Sequence, residues 1–187
     1  MKKSLFAALI ASSLCLPAFA ADNGFYIGGS VGRSDYGVGA GDIGMTAGSV
    51  DDTDTGYKVF AGYNFTRNFG IEAAYVDLGD LTFSGNVGAT PVSGSADVQG
   101  FNISAVLTAP INDRFSVFGK LGAFVWDADF AANSAAVRWT GSGSSTDFSA
   151  GLGAAYSFNK NLSLRAEYEY FDDVDANLWT VGLAYKF

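Results

Sequence analysis

The amino-acid sequence predicts an all-β protein: an eight-stranded antiparallel up-and-down transmembrane β-barrel. Apolar and polar residues alternate with a period of two over eight separate stretches, which is typical of strands with one apolar face. Aromatic residues stand near the ends of these apolar faces, as in strands that are anchored at two membrane interfaces. Beyond the first 20 residues, no apolar run approaches the roughly 18–20 residues that a transmembrane helix needs.

The first four strands are predicted from apolar residues two positions apart. Their polar or small neighbours fall on the opposite face. The apolar positions are Phe25, Ile27 and Val31 in residues 24–33; Tyr57, Val59, Tyr63 and Phe65 in residues 55–65; Phe69, Ile71 and Tyr75 in residues 69–79; and Phe101, Ile103 and Leu107 in residues 97–109.

The last four strands follow the same rule, and the final one has about the 9–11 residues of a tilted membrane crossing. We expect it to pair with the first strand, because closure removes both sheet edges. The apolar positions are Phe115, Val117, Leu121 and Val125 in residues 114–127; Phe148, Leu152, Tyr156 and Phe158 in residues 146–158; Leu164, Tyr168 and Tyr170 in residues 162–172; and Trp179, Val181, Leu183, Tyr185 and Phe187 in residues 177–187.

The connections between the predicted strands alternate between long and short. Residues 34–54 contain Gly, Ser, Thr and five aspartates, and we interpret them as a long, solvated, mobile loop. Residues 80–96 are again rich in Gly, Ser and Thr, and residues 128–145 form a third long connection. The remaining connections are tight turns, apart from a few residues before the final strand. Bacterial barrels show this asymmetry, with short periplasmic turns and longer outer loops.

The chain begins with the pattern of a secretory signal peptide over residues 1–20, so the barrel is predicted to comprise residues 21–187. Two lysines precede an apolar run, and Ala18 and Ala20 are the small residues before the expected cleavage point. The single cysteine, Cys15, lies in this segment. We therefore expect neither a disulfide nor a thiolate metal site in the mature chain.

The small and charged face is predicted to line the barrel interior. An eight-stranded lumen is just wide enough to be filled by side chains, and buried charges persist when they are paired. In the alternative, a soluble sandwich with the charges in water, the aromatic face would have nothing to pack against. The predicted lumen charge network consists of Lys58, Glu72, Lys120, Arg165, Glu167 and Glu169.

Four segments together resemble OmpA-like outer-membrane β-barrels, the family of small eight-stranded outer-membrane proteins. They are TAPINDRFSVFGKLGAFVWDAD at residues 108–129, FGIEAAYVDLG at residues 69–79, LRAEYEY at residues 164–170 and LAYKF at residues 183–187. The resemblance implies lumen roles for Glu72, Arg165 and Glu167. It also implies an interior with one charged pair fewer than in related barrels, because Val106 and Ala155 occupy the matching positions.

The same resemblance implies a multi-pass barrel in the cell outer membrane of a Gram-negative bacterium. The implied partners are outer-membrane lipid and lipopolysaccharide, the barrel assembly machinery and periplasmic chaperones, and the expected state is a monomer. The alternating apolar residues of the last strand resemble the terminal signal that the assembly machinery reads. These residues are Val181, Leu183, Tyr185 and Phe187.

The composition narrows the possible functions. The formal net charge of −8 argues against a nucleic-acid partner, and the absence of histidine argues against an enzyme. We predict no catalytic residues, cofactor or metal, although the aspartates of residues 172–175 weakly resemble a calcium cluster. Two function classes remain: a structural and surface-interaction barrel with a largely plugged lumen, and, as the alternative, a narrow porin-like channel for ions or small solutes.

Overall fold

The computed structural model describes residues 23–37, 47–51, 53–87, 90–134, 138–172 and 174–187, and the predicted signal peptide lies outside these ranges. The described residues form nine strands, and no helix among them is long and apolar enough to cross a membrane. The strands are β1 (Gly24–Tyr36), β2 (Ala47–Asp51), β3 (Thr53–Asn64), β4 (Phe69–Val87), β5 (Thr90–Pro110), β6 (Phe115–Ser134), β7 (Arg138–Ser157), β8 (Leu162–Phe171) and β9 (Ala176–Lys186).

Eight of the nine strands close into an antiparallel ring. The ring runs in the order β1, β3, β4, β5, β6, β7, β8 and β9 with adjacent strands paired. Pairing of β1 with β9 completes it, from Tyr26 opposite Lys186 to Tyr36 opposite Ala176. The remaining strand, β2, is not part of the ring and pairs with the outer part of β4. The predicted all-β, eight-stranded up-and-down barrel is therefore confirmed, including its closure between the first and last strands.

The prediction of three long loops is wrong in part. The β4–β5 and β6–β7 pairs continue as antiparallel ladders far into the segments that were interpreted as loops, and β2 lies within a third such segment. Backbone hydrogen bonds between strands do not require apolar side chains, so a ladder rich in Ser, Thr and Gly can extend into water. These outer extensions are hairpins rather than irregular loops.

An irregular step separates the barrel wall from the β4–β5 extension. The register of β4 against β5 shifts between Asp77 and Asp80, and Gly79 has a left-handed φ of 74°. Glycine adopts this conformation without a side-chain penalty. Asp54 Oδ2 accepts a hydrogen bond from the Asp80 amide at 2.8 Å, and the Tyr36 hydroxyl donates to the Gly79 carbonyl at 3.2 Å. The bulge is thus held by both β1 and β3.

The apolar face of the strands points outward, as predicted. Leu152 is 70% exposed and Val59 is 66% exposed, values that suit contact with lipid rather than with a protein core. Paired aromatic rings mark both ends of this band. At the end with the short turns, the ring centroids lie 4.7 Å apart for Phe25 and Tyr63 and 5.1 Å apart for Tyr185 and Phe187. At the opposite, outer end, they lie 5.3 Å apart for Tyr75 and Phe101 and 4.6 Å apart for Tyr168 and Trp179.

Candidate functional site

The barrel interior contains an ionic layer built from four strands. Each contributing side chain belongs to the inward half of its strand's alternation and is buried. The structure brings together all six residues of the predicted lumen charge network, with Lys58 on β3, Glu72 on β4, Lys120 on β6, and Arg165, Glu167 and Glu169 on β8.

Salt bridges link the three bases and three acids of the ionic layer into one cluster. Lys120 Nζ lies 2.5 Å from Glu72 Oε1, 2.9 Å from Glu167 Oε2 and 3.3 Å from Glu169 Oε1. Lys58 pairs with both Glu167 and Glu169. Arg165 Nη1 lies 2.8 Å from Glu72 Oε2, and Arg165 Nη2 lies 2.6 Å from Glu167 Oε1. The formal charges cancel, which is the condition under which buried ions are tolerated.

Aromatic rings hold the guanidinium group of Arg165 on the periplasmic side of this layer. Its Cζ lies 4.5 Å from the ring centroids of both Phe60 and Phe118. A guanidinium over an aromatic face gains a cation–π attraction, which is stronger away from water. The Tyr26 hydroxyl completes the group by donating to Glu72 Oε2 at 2.9 Å. Arg165 is therefore fixed by rings as well as by carboxylates.

Glycines on the wall make room for these rings. A Cβ atom at Gly62 would lie 2.3 Å from the Tyr26 ring, and one at Gly153 would lie 2.3 Å from the Phe118 ring. Both distances are shorter than any real contact permits. The space beside Gly62 and Gly153 is thus occupied by aromatic side chains.

A second, apolar layer lies on the outer side of the ionic layer. Its side chains are almost completely buried, and the Phe124 and Phe171 rings pack with centroids 4.5 Å apart. Beside these rings, the Ser149 hydroxyl donates a hydrogen bond to Asn102 Oδ1 at 2.8 Å, and the two residues lie opposite Phe171 and Phe124 on neighbouring strands. The apolar layer consists of Tyr36, Val76, Leu78, Val98, Phe124, Ala128, Phe171, Ala176 and Leu178.

Sequence analysis missed the apolar layer, although a signal for it was present. Phe124 has the same strand parity as Lys120, and Phe171 has the same parity as Glu169, so both rings had to point inward. The interior was instead described mainly by its small and charged residues. Parity counted from the lumen charges would have located these residues.

Two uncharged residues flank the ionic layer at the positions singled out by the family resemblance. Val106 lies opposite Lys120 on the neighbouring strand, and Ala155 lies opposite Arg165. Ser30 is also on the inward face, and no side chain or backbone group within the described ranges forms a hydrogen bond with its buried hydroxyl. Neutral side chains therefore lie directly beside Lys120 and Arg165 on the neighbouring strands.

The outer end of the barrel is acidic. Asp97 on β5 lies directly opposite Asp80 on β4 and Asp129 on β6. Partial burial, and then the neighbouring Asp77 and Asp80 charges, raise the pKa of Asp97. Hydrogen bonds from the Asp80 and Thr55 amides lower the pKa of Asp54. Within the described ranges, no group of three or more Asp, Glu, His or Cys residues is arranged to hold a metal ion.

Three residues of the predicted assembly signal lie on the outward face of β9, and the fourth, Phe187, directly follows this strand. Val181 is 54% exposed, and Leu183, Tyr185 and Phe187 are each close to half exposed. Leu183 and Tyr185 on β9 pair with β1 and β8, which places them inside the closed sheet. A role in assembly stays a prediction.

The closed ring, the outward apolar band and the buried charged residues of the interior define an eight-stranded barrel that spans a membrane. The chain belongs to the outer-membrane β-barrel family described as "Outer membrane protein beta-barrel domain", whose sequence pattern matches residues 6–187. Its place is accordingly the outer membrane of a Gram-negative bacterium.

Several relatives are named outer membrane protein A, and two of them illustrate the similarity. The one from Yersinia pseudotuberculosis serotype I is 30% identical over 202 residues, and the one from Shigella flexneri is 29% identical over 205 residues. Each alignment covers 100% of this chain and 56% of the relative. The chain therefore spans about half the length of these relatives, and the activities of the whole relatives do not transfer to it directly.

Solved structures share the fold at lower sequence identity. The outer membrane protein OprG from Pseudomonas aeruginosa matches with a TM-score of 0.67 and 16% identity, over 89% of this chain and 96% of OprG. Ail, the attachment invasion locus protein of Yersinia pestis, in complex with the heparin analogue sucrose octasulfate, matches with a TM-score of 0.54 and 23% identity, over 88% of this chain and 97% of Ail. These similarities support the architecture alone.

Proposed function

We propose that this protein is a structural and surface-interaction barrel of the outer membrane and that its lumen is closed. The observation that carries the proposal is the stacking of two chemically different layers inside one barrel. Phe124, Phe171 and Leu178 in the apolar layer are 0% exposed to solvent, and every charge in the ionic layer has an opposite charge beside it. A permeating ion would have to displace both layers.

The role in surface interaction rests on the outer hairpins. The β4–β5 and β6–β7 ladders extend from the barrel wall, and their outward positions carry hydroxyl, amide and carboxylate side chains such as Ser84, Asn133 and Asp129. Such surfaces form hydrogen bonds with polar partners. The side chains described at this end include many aspartates, so we infer that polar or cationic surfaces suit it better than polyanions.

A non-catalytic role is part of the same proposal. The chain contains no histidine, and the buried acids of the ionic layer are engaged by lysine and arginine rather than free to exchange protons with a substrate. Such pairing suits a structural interior better than an active site.

Planar-bilayer recording tests the closed lumen. We expect purified protein to insert without a steady conductance. Frequent, reproducible channels would contradict the proposal and support the narrow porin-like alternative. The surface role is tested separately with a variant in which residues 82–95 are replaced by an Asn-Gly turn, because Thr82 lies opposite Ser95 and the barrel wall stays intact. This variant should insert normally, but it should lose the binding of the wild-type protein to polar surfaces outside the membrane.

A further inference from the structure

The three short turns at the periplasmic end share one construction. Each is closed by a hydrogen bond between backbone groups four residues apart. Phe65 N donates to Phe69 O at 3.0 Å, Ile111 N donates to Phe115 O at 2.9 Å, and Phe158 N donates to Leu162 O at 2.9 Å.

A side-chain oxygen caps each of these turns by accepting from two backbone amides. Thr66 Oγ1 accepts at 3.2 and 3.0 Å, Asn112 Oδ1 accepts twice at 2.9 Å, and Asn159 Oδ1 accepts twice at 2.8 Å. Local caps of this kind fix a turn without help from distant residues. The turns therefore present their remaining side chains in defined positions.

Each capped turn carries one cation: Arg67, Arg114 or Lys160. All three side chains are exposed, and we call them the turn cations. Asp113 is the only acid within the three turns. The opposite end of the barrel has the reverse sign, because its described outward charges are aspartates apart from Arg33. The molecule is thus basic at the end where its turns are short.

Exposed apolar side chains stand next to every turn cation. Arg67 lies between Phe65 and Phe69, whose rings stack with centroids 5.7 Å apart, and Arg114 directly precedes Phe115. Phe158 is 53% exposed and lies two residues before Lys160. Aromatic side chains of a transmembrane barrel sit at the level of the lipid headgroups. The turn cations are therefore held at headgroup depth rather than out in the periplasm.

We propose that this rim is a binding surface for anionic phospholipid headgroups in the inner leaflet of the outer membrane. Guanidinium and ammonium groups donate hydrogen bonds to phosphate oxygens. Each cation near an anionic bilayer surface raises the binding constant for that surface about fivefold over that for a neutral one. Three cations spaced around the barrel engage separate lipids and form an anionic annulus. The proposal does not depend on whether the lumen is closed.

The depth of the cations favours lipid over the anionic polymers of the cell wall. A polymer in the periplasm would meet the atoms at the tips of the turns. There, the side-chain amides of Asn68 and Asn161 donate hydrogen bonds to backbone carbonyls of neighbouring strand ends, at 2.9 and 2.7 Å, instead of facing the periplasm. The cations beside the rings already share a level with lipid phosphates. Capture of wall fragments is therefore kept as an outcome of the test.

Native mass spectrometry tests this proposal on the full protein in mild detergent. Phosphatidylglycerol or phosphatidylcholine is titrated, and bound lipids are counted. We expect at least a tenfold preference for phosphatidylglycerol, lost in 0.5 M salt because exposed charges are screened. The triple variant Arg67→Gln, Arg114→Gln, Lys160→Gln should lose the preference. The charge-retaining triple Arg67→Lys, Arg114→Lys, Lys160→Arg should keep it, as should Arg33→Gln at the outer end.

Folding of each variant is checked by its heat-modified gel mobility, which the intact Thr66, Asn112 and Asn159 caps should preserve. If the neutral triple does not fold, the salt titration of the wild-type protein decides alone. Equal binding of the two lipids by the wild type, or an undiminished preference in a folded neutral triple, would overturn the proposal. Selective capture of cell-wall fragments by the turn cations, without a lipid preference, would also overturn it.

Discussion

The ionic layer and the apolar layer occupy the same lumen but respond differently to loss of one member. In the ionic layer, Glu167 serves Lys58, Lys120 and Arg165 at once, so removal of one charge leaves others buried and under-paired. In the apolar layer, removal of one ring leaves a cavity whose cost is limited to the lost contacts. We infer from this contrast that the ionic layer fixes one arrangement of the lumen, while the apolar layer adds stability and forms the second seal of the proposed closed lumen.

The largest effect is expected when Arg165 is truncated. Arg165→Ala leaves Glu72 and Glu167 buried with fewer partners, and we expect a loss of about 3–5 kcal/mol in the free energy of unfolding. Urea titration of the vesicle-inserted protein measures the loss, and the heat-modified gel transition should fall in parallel. Leu164→Ala, which shortens a lipid-facing neighbour, is the control. Equal stability of Arg165→Ala and the wild type would show that the cluster tolerates an unpaired acid.

A slightly smaller effect is expected in the apolar layer. Phe124→Ala removes a ring that packs on Phe171, with a cost of about 3 kcal/mol. The same titration measures it, with the outward neighbour Val125→Ala as the control. A variant as stable as its control would mean that the apolar layer closes over the vacated space, contrary to the picture of a fixed packing.

Double mutation sharpens the contrast between the layers. Glu72→Gln with Arg165→Met removes one charge of each sign, so the remaining two bases and two acids stay balanced. We expect the pair to cost about 2 kcal/mol less than the sum of the single losses, since coupled groups are not additive. Phe124→Ala combined with a distant outward truncation, Val59→Ala, should be additive. A zero coupling energy between Glu72 and Arg165 would remove the claim that they act together.

The smallest effect is expected at the acidic outer end. Asp97→Asn removes a charge that faces Asp80 and Asp129, and we expect a gain of about 0.5 kcal/mol at neutral pH. Because the pKa of Asp97 is raised in the fold, its protonated form is favoured there. The contribution of Asp97 to the free energy of unfolding is therefore fully present below its unfolded-state pKa and is lost as the pH rises through its folded-state pKa.

Hydrogen exchange of the backbone amides in the outer parts of β4, β5 and β6, compared between the variant and the wild type at the same pH, measures this effect. The variant should exchange more slowly than the wild type at pH 7 and no differently at a pH where Asp97 is protonated. Faster exchange in the variant at pH 7 would mean that Asp97 supports the extension rather than strains it.

The strand count and the outward face could be predicted because period-two alternation is a local property. Residues such as Val181 and Leu183 carry the signal in their own neighbourhood. The partners of Lys58 could not be predicted, because contact with β8 across the lumen depends on the stagger of the closed sheet. The outer ladders were missed for a different reason: their Ser, Thr and Gly residues contain no apolar signal, although their backbones pair regularly.

The closed lumen is tested most directly by the conductance of the balanced ionic-layer variant, Glu72→Gln with Arg165→Met. This variant weakens the ionic layer and leaves Phe124, Phe171 and Leu178 in place. If the two layers seal the barrel independently, planar bilayers that contain the folded variant should show no steady current. A reproducible channel in this variant, absent from the wild type, would contradict an independent apolar seal and would show that the ionic layer alone keeps the barrel shut.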